Sequence, residues 1–337
     1  MHNQIKIGFD LGNKSLKIAV RQKEGIDFHE LILPEHLVEE DQVVMPHAFS
    51  ALLKKAKKEL HLPKGEAGLI MPPSQVICRK LTMPMMSVDQ LMLNLPYEFS
   101  DFIQGELQQY HCDYALCRES ADEKEGEPQL TMMAAVAKRQ HIQEYVRMFA
   151  AGGFSIKCIL PQEMALIQLV QACGQVHPEG QKEFCFIDLG YLSTRVFVVQ
   201  EDRIVATRRI SIGCRDIAGV VADMRNLEAF VADSYIRSNH NAVTEQPGCM
   251  EIYEQIAVEI LKLINFYHFT NRNSQMDGVY LIGGGAKIEA LRRILQDTLD
   301  LPILPVDALL PGVRSDDPSI GVCMCAAGLL AQIREEG

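Results

Sequence analysis

Ile7 to Val20 reads IGFDLGNKSLKIAV, and Cys185 to Val198 repeats it as CFIDLGYLSTRVFV. With Asp10 set against Asp188, the two stretches share the skeleton Asp-Leu-Gly-x-x-Ser-[Leu/Thr]-[Lys/Arg]-[Ile/Val]-x-Val. Each copy is an apolar run that reaches an Asp, then a Gly that permits the positive φ of a tight turn. Small hydroxyl residues follow, and then a second run with β-branched alternation. The pattern predicts a β-hairpin whose backbone N–H groups can converge on a phosphate, present twice in one chain.

Working outward, Ile26 to Ile32 adds a third strand to the first hairpin and Ile204 to Ile212 does the same for the second, so both halves begin with one topology. His47 to Leu60 reads as a helix, Ala67 to Ile70 and Val76 to Leu81 as strands, and Pro72-Pro73 as the break between them. From Met83 the character changes. A helix capped by Ser87, strands at Cys112 to Cys117 and Gln129 to Ala137 with a charged hairpin loop from Glu119 to Pro128 between them, and a helix from Arg139 to Ala150 read as an inserted subdomain. Ser155 to Ile159 is strand-like and Gln162 to Ala172 helical, and the Gly174 to Lys182 stretch is the natural hinge before the second copy. Cys249 to His268 carries a long apolar stripe, and Gly278 to Ile282 runs as a strand into Gly283-Gly284-Gly285-Ala286. Ser319 opens a small-residue helix from Ile320 to Arg334.

These elements divide an α/β chain into two lobes. The first lobe takes 1–82, 153–175 and 319–337, with 83–152 inserted into it as a small α+β subdomain. The second takes 183–213 and 276–318, with 214–275 as its helical subdomain. A length of 337 residues and a hydrophobic share of 47% are enough for two cores. The net charge of −11 argues against a general nucleic-acid surface, since phosphate contact draws on clustered Lys and Arg. No long uncharged apolar run predicts a membrane span or a secretory leader, and a cytoplasmic location is expected. The ten cysteines lack any Cys-x-x-Cys spacing and read as reduced, mostly buried thiols.

Gly12 and Gly190 would let the main chain approach phosphates, with Ser15, Ser193 and Thr194 adding hydroxyl donors and Lys17 a cation reaching back toward the terminal phosphates. Asp10 and Asp188, at strand ends facing one cleft, would hold waters of a Mg²⁺ ion. Gly283, Gly284 and Gly285 form a flat surface suited to a sugar or base. For orienting or deprotonating an attacking water the chain offers Gln162 and Glu163.

The two Asp-Leu-Gly hairpins, the glycine run and the terminal small-residue helix resemble the phosphate, adenosine and connecting segments of the actin, Hsp70 and sugar-kinase ATPase superfamily. Leu81-Thr82-Met83-Pro84-Met85, Gln129 to Ala135 with Lys138, Ala151-Gly152-Gly153-Phe154 and Ile264-Asn265-Phe266-Tyr267 resemble the FtsA-like PilM family of type IV pilus assembly. The resemblance implies an actin-like two-lobe duplicated ATPase fold, with ATP and Mg²⁺ as cofactors and at most slow hydrolysis. It assigns Asp10, Gly12, Asn13, Ser15 and Lys17, and from the other lobe Asp188, Gly190, Ser193 and Thr194, to the β/γ-phosphates and metal. It assigns Gly283 to Gly285 to the ribose and adenine, and Glu259 with Lys262 to the flanks of the nucleoside. Asn13, Leu263, Phe266 and Leu160 depart from superfamily patterns.

The resemblance further implies a partner, the N-terminal cytoplasmic peptide of a PilN-type inner-membrane protein, gripped between the first lobe and the insert. The protein would then sit at the inner face of the membrane without inserting, and self-association stays open. Met83, Met85, Met86 and Met92 are the candidates for that groove. Two rival readings are a small-molecule kinase of the same superfamily and an FtsA-type division protein. The first lacks an Asp-rich motif in the first lobe, and the second would call for an amphipathic C-terminal segment that Gln332 to Gly337 does not supply.

Overall fold

A computed structural model describes residues 5–117, 129–176, 181–310, 313, 317 and 319–331. The charged loop expected from Glu119 to Pro128 lies outside these residues, as does the expected continuation of the last helix beyond 331.

The first-lobe sheet runs in the order Ser155–Leu160, Glu66–Ile70, Ile7–Leu11, Ser15–Arg21, Ile26–Ile32. The last three strands form the antiparallel meander and the first three pair in parallel. The second-lobe sheet, Arg203–Ile210, Thr194–Gln200, Glu183–Leu189, Met276–Ile282, repeats the meander and its first parallel neighbour, without a fifth strand among the described residues. The registers repeat too: Asp10 lies opposite Lys17 and Asp188 opposite Arg195. A shared register follows from a shared turn length, because a slip of one residue would turn the apolar faces of both strands outward. Ile7, Phe9, Leu16 and Ile18 are wholly buried in the first lobe, as are Cys185 and Ile187 in the second.

Helix Ile320–Gly328 lies against the first-lobe meander, helix Gln162–Val176 and strand Met276–Ile282, so one apolar cluster runs through both lobes. Small side chains let it sit this close. A Cβ on Gly8 would fall against the Ala326 carbonyl, and Ala326 and Ala327 are fully buried. The helix is the seam of the molecule.

The insert differs from its expected limits of 83–152. Its antiparallel sheet, Val76–Pro84, Gln129–Lys138, Tyr110–Leu116, already begins at Val76, because that strand pairs along its whole length with Gln129–Lys138. Helix Val88–Asn94 opens on a reciprocal cap in which Gln90 N donates to Ser87 Oγ at 3.3 Å and Ser87 N to Gln90 Oε1 at 3.1 Å. Leu91, Leu95 and Phe99 close a small core with Met83 and Met132. Helix Arg139–Ala151 belongs instead to the first lobe: Tyr145, Met148 and Phe149 enter its core, and the Phe149 ring lies 5.0 Å from Phe9 and 5.6 Å from Phe49. Its apolar face found a deeper site in the lobe than the insert provides.

Of the second lobe's helical part, the long helix runs Pro247–Thr270. Ahead of it stand Cys214–Arg225 and Ala229–Ser238, ended by Asn226 and Asn239 at φ 51° and 45°. Asn is among the few side chains that tolerate this left-handed cap.

Gly8→Val is expected to lower unfolding free energy by about 2–3 kcal/mol, since strand and helix backbone must part to admit the side chain. Urea denaturation followed by circular dichroism measures this, and an unchanged midpoint would remove the helix from its place as the seam.

A candidate nucleotide cleft between the lobes

The two hairpins meet at a cleft of about 400 Å³. Asp10, Gly12, Asn13, Ser15 and Lys17 line it from the first lobe and Asp188, Gly190 and Ser193 from the second. Gly283 and Gly284 form part of the wall, and Gln162 belongs to the lining as well. The sequence repeat is thereby a spatial pair.

Side-chain chemistry sorts these residues further. Gly12 N donates to Ser15 O at 3.0 Å, and the Lys17 ammonium lies 2.5 Å from where a Gly12 Cβ would stand, so the turn is small because the lysine folds back over it. Lys17 Nζ is 3.7 Å from Asp10 Oδ2. Burial opposes the charge on Lys17, but Asp10 and Asp188 outweigh it and hold its pKa above the ordinary lysine range. Burial raises the pKa of Asp10, with Lys17 pulling it down and Asp188 pushing it up. Asp188 Oδ2 accepts from Arg195 Nη2 at 2.9 Å and from Gln162 Nε2 at 3.0 Å. The oxygen of the Gln162 amide, Oε1, is buried without a partner.

Asn13 lines the cleft, yet its amide is committed elsewhere: Nδ2 donates to Asp41 Oδ1 at 2.6 Å and Oδ1 accepts from Asp41 N at 3.0 Å. It orders a loop in which Glu40 and Asp41 both have positive φ. Thr194 is fully buried and donates to Ile212 O at 3.0 Å, outside the lining. Gly285 is packed under Leu189 and Cys214. Glu163 also stands outside the lining, and burial raises its pKa while Arg195 opposes the rise.

Glu259 and Lys262 are not brought to the cleft. They pair with each other at 2.7 Å on the exposed face of helix Pro247–Thr270. The residues that do flank the cleft on that side, Asp233, Ile236 and Arg237, come from helix Ala229–Ser238. A Glu-x-x-Lys spacing is met by any exposed helical pair, so the motif could not select the right helix.

The sequence reading also missed Arg195, Lys14, Glu30, Lys287 and Cys325, all of which line the cleft. Arg195 was detectable as the repeat partner of Lys17. The others were not, since their partners lie far along the chain. Lys14 Nζ reaches Asp233 Oδ2 across the cleft at 2.7 Å and lies 4.7 Å from the Tyr191 ring centroid. Lys287 Nζ reaches Glu30 Oε2 at 2.6 Å, and Arg215 Nη1 reaches Glu40 Oε1 at 2.7 Å. Among the described residues these three ion pairs bridge the lobes. The Cys325 thiol accepts from Gln162 Nε2 at 3.2 Å, and burial pushes its pKa well above that of a free thiol, so it is inert at neutral pH.

A magnesium ion finds a poor donor set here. Asp10 and Asp188, the carboxylates expected to hold its waters, each already face a cation.

The family model for type IV pilus assembly protein PilM matches residues 8–310. Among solved structures, a PilM-PilN type IV pilus biogenesis complex aligns with a TM-score of 0.78 at 19% identity, covering 97% of this chain and 98% of that one. The ethanolamine utilization protein EutJ from Carboxydothermus hydrogenoformans aligns with a TM-score of 0.56 at 14% identity, covering 96% and 89%. Both likenesses support the actin-like α/β fold.

The Glu30–Lys287 bridge gives a pH-dependent prediction. Burial raises the pKa of Glu30, but the hydrogen bonds from Lys287 and Ser15 and the charges of Lys287 and Lys17 prevail and set it below its ordinary 4.5. A depressed carboxylate pKa adds stability above the unfolded value and loses it as pH falls through the folded value. Lys287→Met should therefore cost about 0.5–1 kcal/mol at pH 7. The difference from the unaltered protein should shrink as pH falls below 4.5 in urea titrations, and a constant difference across that range would exclude the bridge as its source.

Proposed function

The chain belongs to the PilM family of type IV pilus assembly proteins, and from that premise we propose that its cleft holds ATP and that the nucleotide sets the spacing of the lobes for a partner to read. The observation that carries the proposal is the convergence of both hairpins and the Gly283-Gly284 turn on one cavity. Gly12 and Gly190 leave their backbone free to approach a phosphate chain, with Lys17 over the first turn and the Ser15 and Ser193 hydroxyls beside it. The Gly283 backbone has φ 86°, and a Cβ there would strike Asp188. The glycine is therefore required both for the turn and for its closeness to the second hairpin. Gly284 has open space around its Cβ position, as a surface for a ribose or base would need.

Hydrolysis, on this reading, is slow at most. Gln162 lines the cleft but is an amide, which can orient water and cannot take its proton. Glu163 is a base by type but lies outside the lining. The chain acts as a scaffold whose nucleotide occupancy matters more than its turnover, which family membership favours over a small-molecule kinase or a division protein.

The partner we propose is the N-terminal cytoplasmic peptide of a PilN-type inner-membrane protein, which would hold the chain at the membrane. No helix among the described residues is long and apolar enough to cross a membrane. The insert offers a surface of the right chemistry. Met83 is buried in its core, but Met85, Val88, Met92, Leu93 and Tyr97 are exposed, with Leu93 at 72%. An apolar peptide could cover these side chains, the flexible methionines adapting to its shape.

Two variants test the cleft and one the insert. Fluorescent ATP should bind the unaltered protein, and Lys17→Ala and Gly284→Glu should each weaken it by about tenfold or more, a loss of about 1.4 kcal/mol or more. Gly284→Glu has room to fold and adds a negative charge where phosphates or sugar must pass, so full affinity in that variant would count against the cleft. Leu93→Asp should reduce capture of the PilN-type peptide without moving the melting temperature, and undiminished capture would send the peptide elsewhere.

A further inference from the structure

Lys17 and Arg195 occupy one position of the repeat, each directly across an antiparallel strand pair from its carboxylate. Both side chains are nearly buried, at 14% and 16% exposure, and both line the cleft. Their pairing is unequal. Lys17 stands 3.7 Å from Asp10, whereas Arg195 hydrogen-bonds Asp188 at 2.9 Å on the same oxygen, Oδ2, that accepts from Gln162. The other oxygen, Oδ1, lies against the Gly283 turn, where a Cβ would collide with it.

A carboxylate so occupied is a weak holder for the hydration shell of Mg²⁺, which demands near-octahedral oxygen ligation. A divalent ion set between Asp10 and Asp188 would also stand beside an ammonium and a guanidinium in a cleft of reduced dielectric, where like charges repel strongly. The guanidinium fork, in contrast, matches the oxygens of a phosphate and keeps donors beyond the one spent on Asp188.

We propose that Arg195 supplies the positive charge that a divalent ion would otherwise bring, so that a nucleoside polyphosphate is held between Lys17 and Arg195 with little dependence on Mg²⁺. The inference rests on the nucleotide reading of the cleft. Its competitor is a purely structural Arg195, which neutralises Asp188 and lies 5.5 Å from the Phe197 ring centroid. A structural arginine would leave the metal requirement intact.

The test is a titration of the full chain with fluorescent ATP in Mg²⁺ buffer and in EDTA, on the unaltered protein, Arg195→Gln and Arg195→Lys, with folding followed by the thermal transition. In the unaltered protein EDTA should change the dissociation constant less than about fivefold. In Arg195→Gln metal-free binding should fall by about tenfold or more, with Mg²⁺ recovering part of it, and Arg195→Lys, which keeps the charge but not the fork, should weaken metal-free binding less. Binding of the unaltered protein only in Mg²⁺ leaves the nucleotide reading standing and overturns this one, and absence of binding in either buffer overturns both. Metal-free affinity unchanged in a folded Arg195→Gln also overturns it. Should that variant fail to fold, the unaltered protein and Arg195→Lys decide, because loss of metal-free binding in the former, or unchanged metal-free affinity in the latter, contradicts the proposal.

Discussion

Two carboxylates set into one cleft repel each other, and the low dielectric that makes the cleft useful makes that repulsion larger. The chain meets this constraint by register. An antiparallel hairpin of fixed turn length puts Lys17 opposite Asp10, and its repeat puts Arg195 opposite Asp188. Charge neutralisation is thus built into strand pairing and needs no distant residue. What the repeat leaves free is what surrounds each pair: a folded-back lysine over Gly12 in one lobe, a guanidinium shared with the Gln162 amide through Asp188 in the other.

The same constraint reaches across the lobes. Lys14, Glu30 and Glu40 of the first lobe pair with Asp233, Lys287 and Arg215 of the second; the Asp233 and Glu30 carboxylates are largely removed from bulk water, and that of Glu40 is exposed. Pairs of this kind are worth about 0–1 kcal/mol each where exposed. Three together can favour one spacing of the lobes, but they cannot lock it. A ligand that prefers one spacing by about tenfold contributes about 1.4 kcal/mol, which is the same order. Bridges much stronger than these would make the cleft deaf to occupancy, and without them the lobes would be joined by the seam helix and by the packing of helix Gln162–Val176 on the second-lobe strands.

How far the sequence reaches depends on the distance over which each feature is encoded. The hairpins, the meanders and the glycine turn are local, and the repeat made them doubly legible, so Asp10, Asp188, Gly12, Gly190, Gly283 and Gly284 were all readable as residues of one surface. Tertiary packing is not local. Helix Arg139–Ala151 follows the insert's strands in sequence, but its Tyr145 and Phe149 bury against Phe9 and Phe49, which no periodicity announces. Thr194 reads as a hydroxyl donor by position, yet its strand turns it inward to the Ile212 carbonyl. Glu259 and Lys262 failed for the opposite reason: their spacing was legible and uninformative, whereas Asp233 and Arg237 carry no motif and reach the cleft through the path of helix Ala229–Ser238.

The last helix explains how two cores are joined into one molecule. Gly283 N donates to Gly321 O at 3.2 Å, Cys323 Sγ to the His29 carbonyl at 3.5 Å, and Val322 and Cys325 form part of the cleft lining. One short element therefore touches the glycine turn of the second lobe, the meander of the first and the cavity itself. Its Gly and Ala positions allow close backbone approach, while Ile320 and Met324 are buried in the apolar cluster that both lobes share. A change at the Gly283 turn has a direct backbone route to the helix and from there to the first-lobe sheet, so the residues that would sense a ligand on the proposed reading are hydrogen-bonded neighbours of the element that joins the lobes.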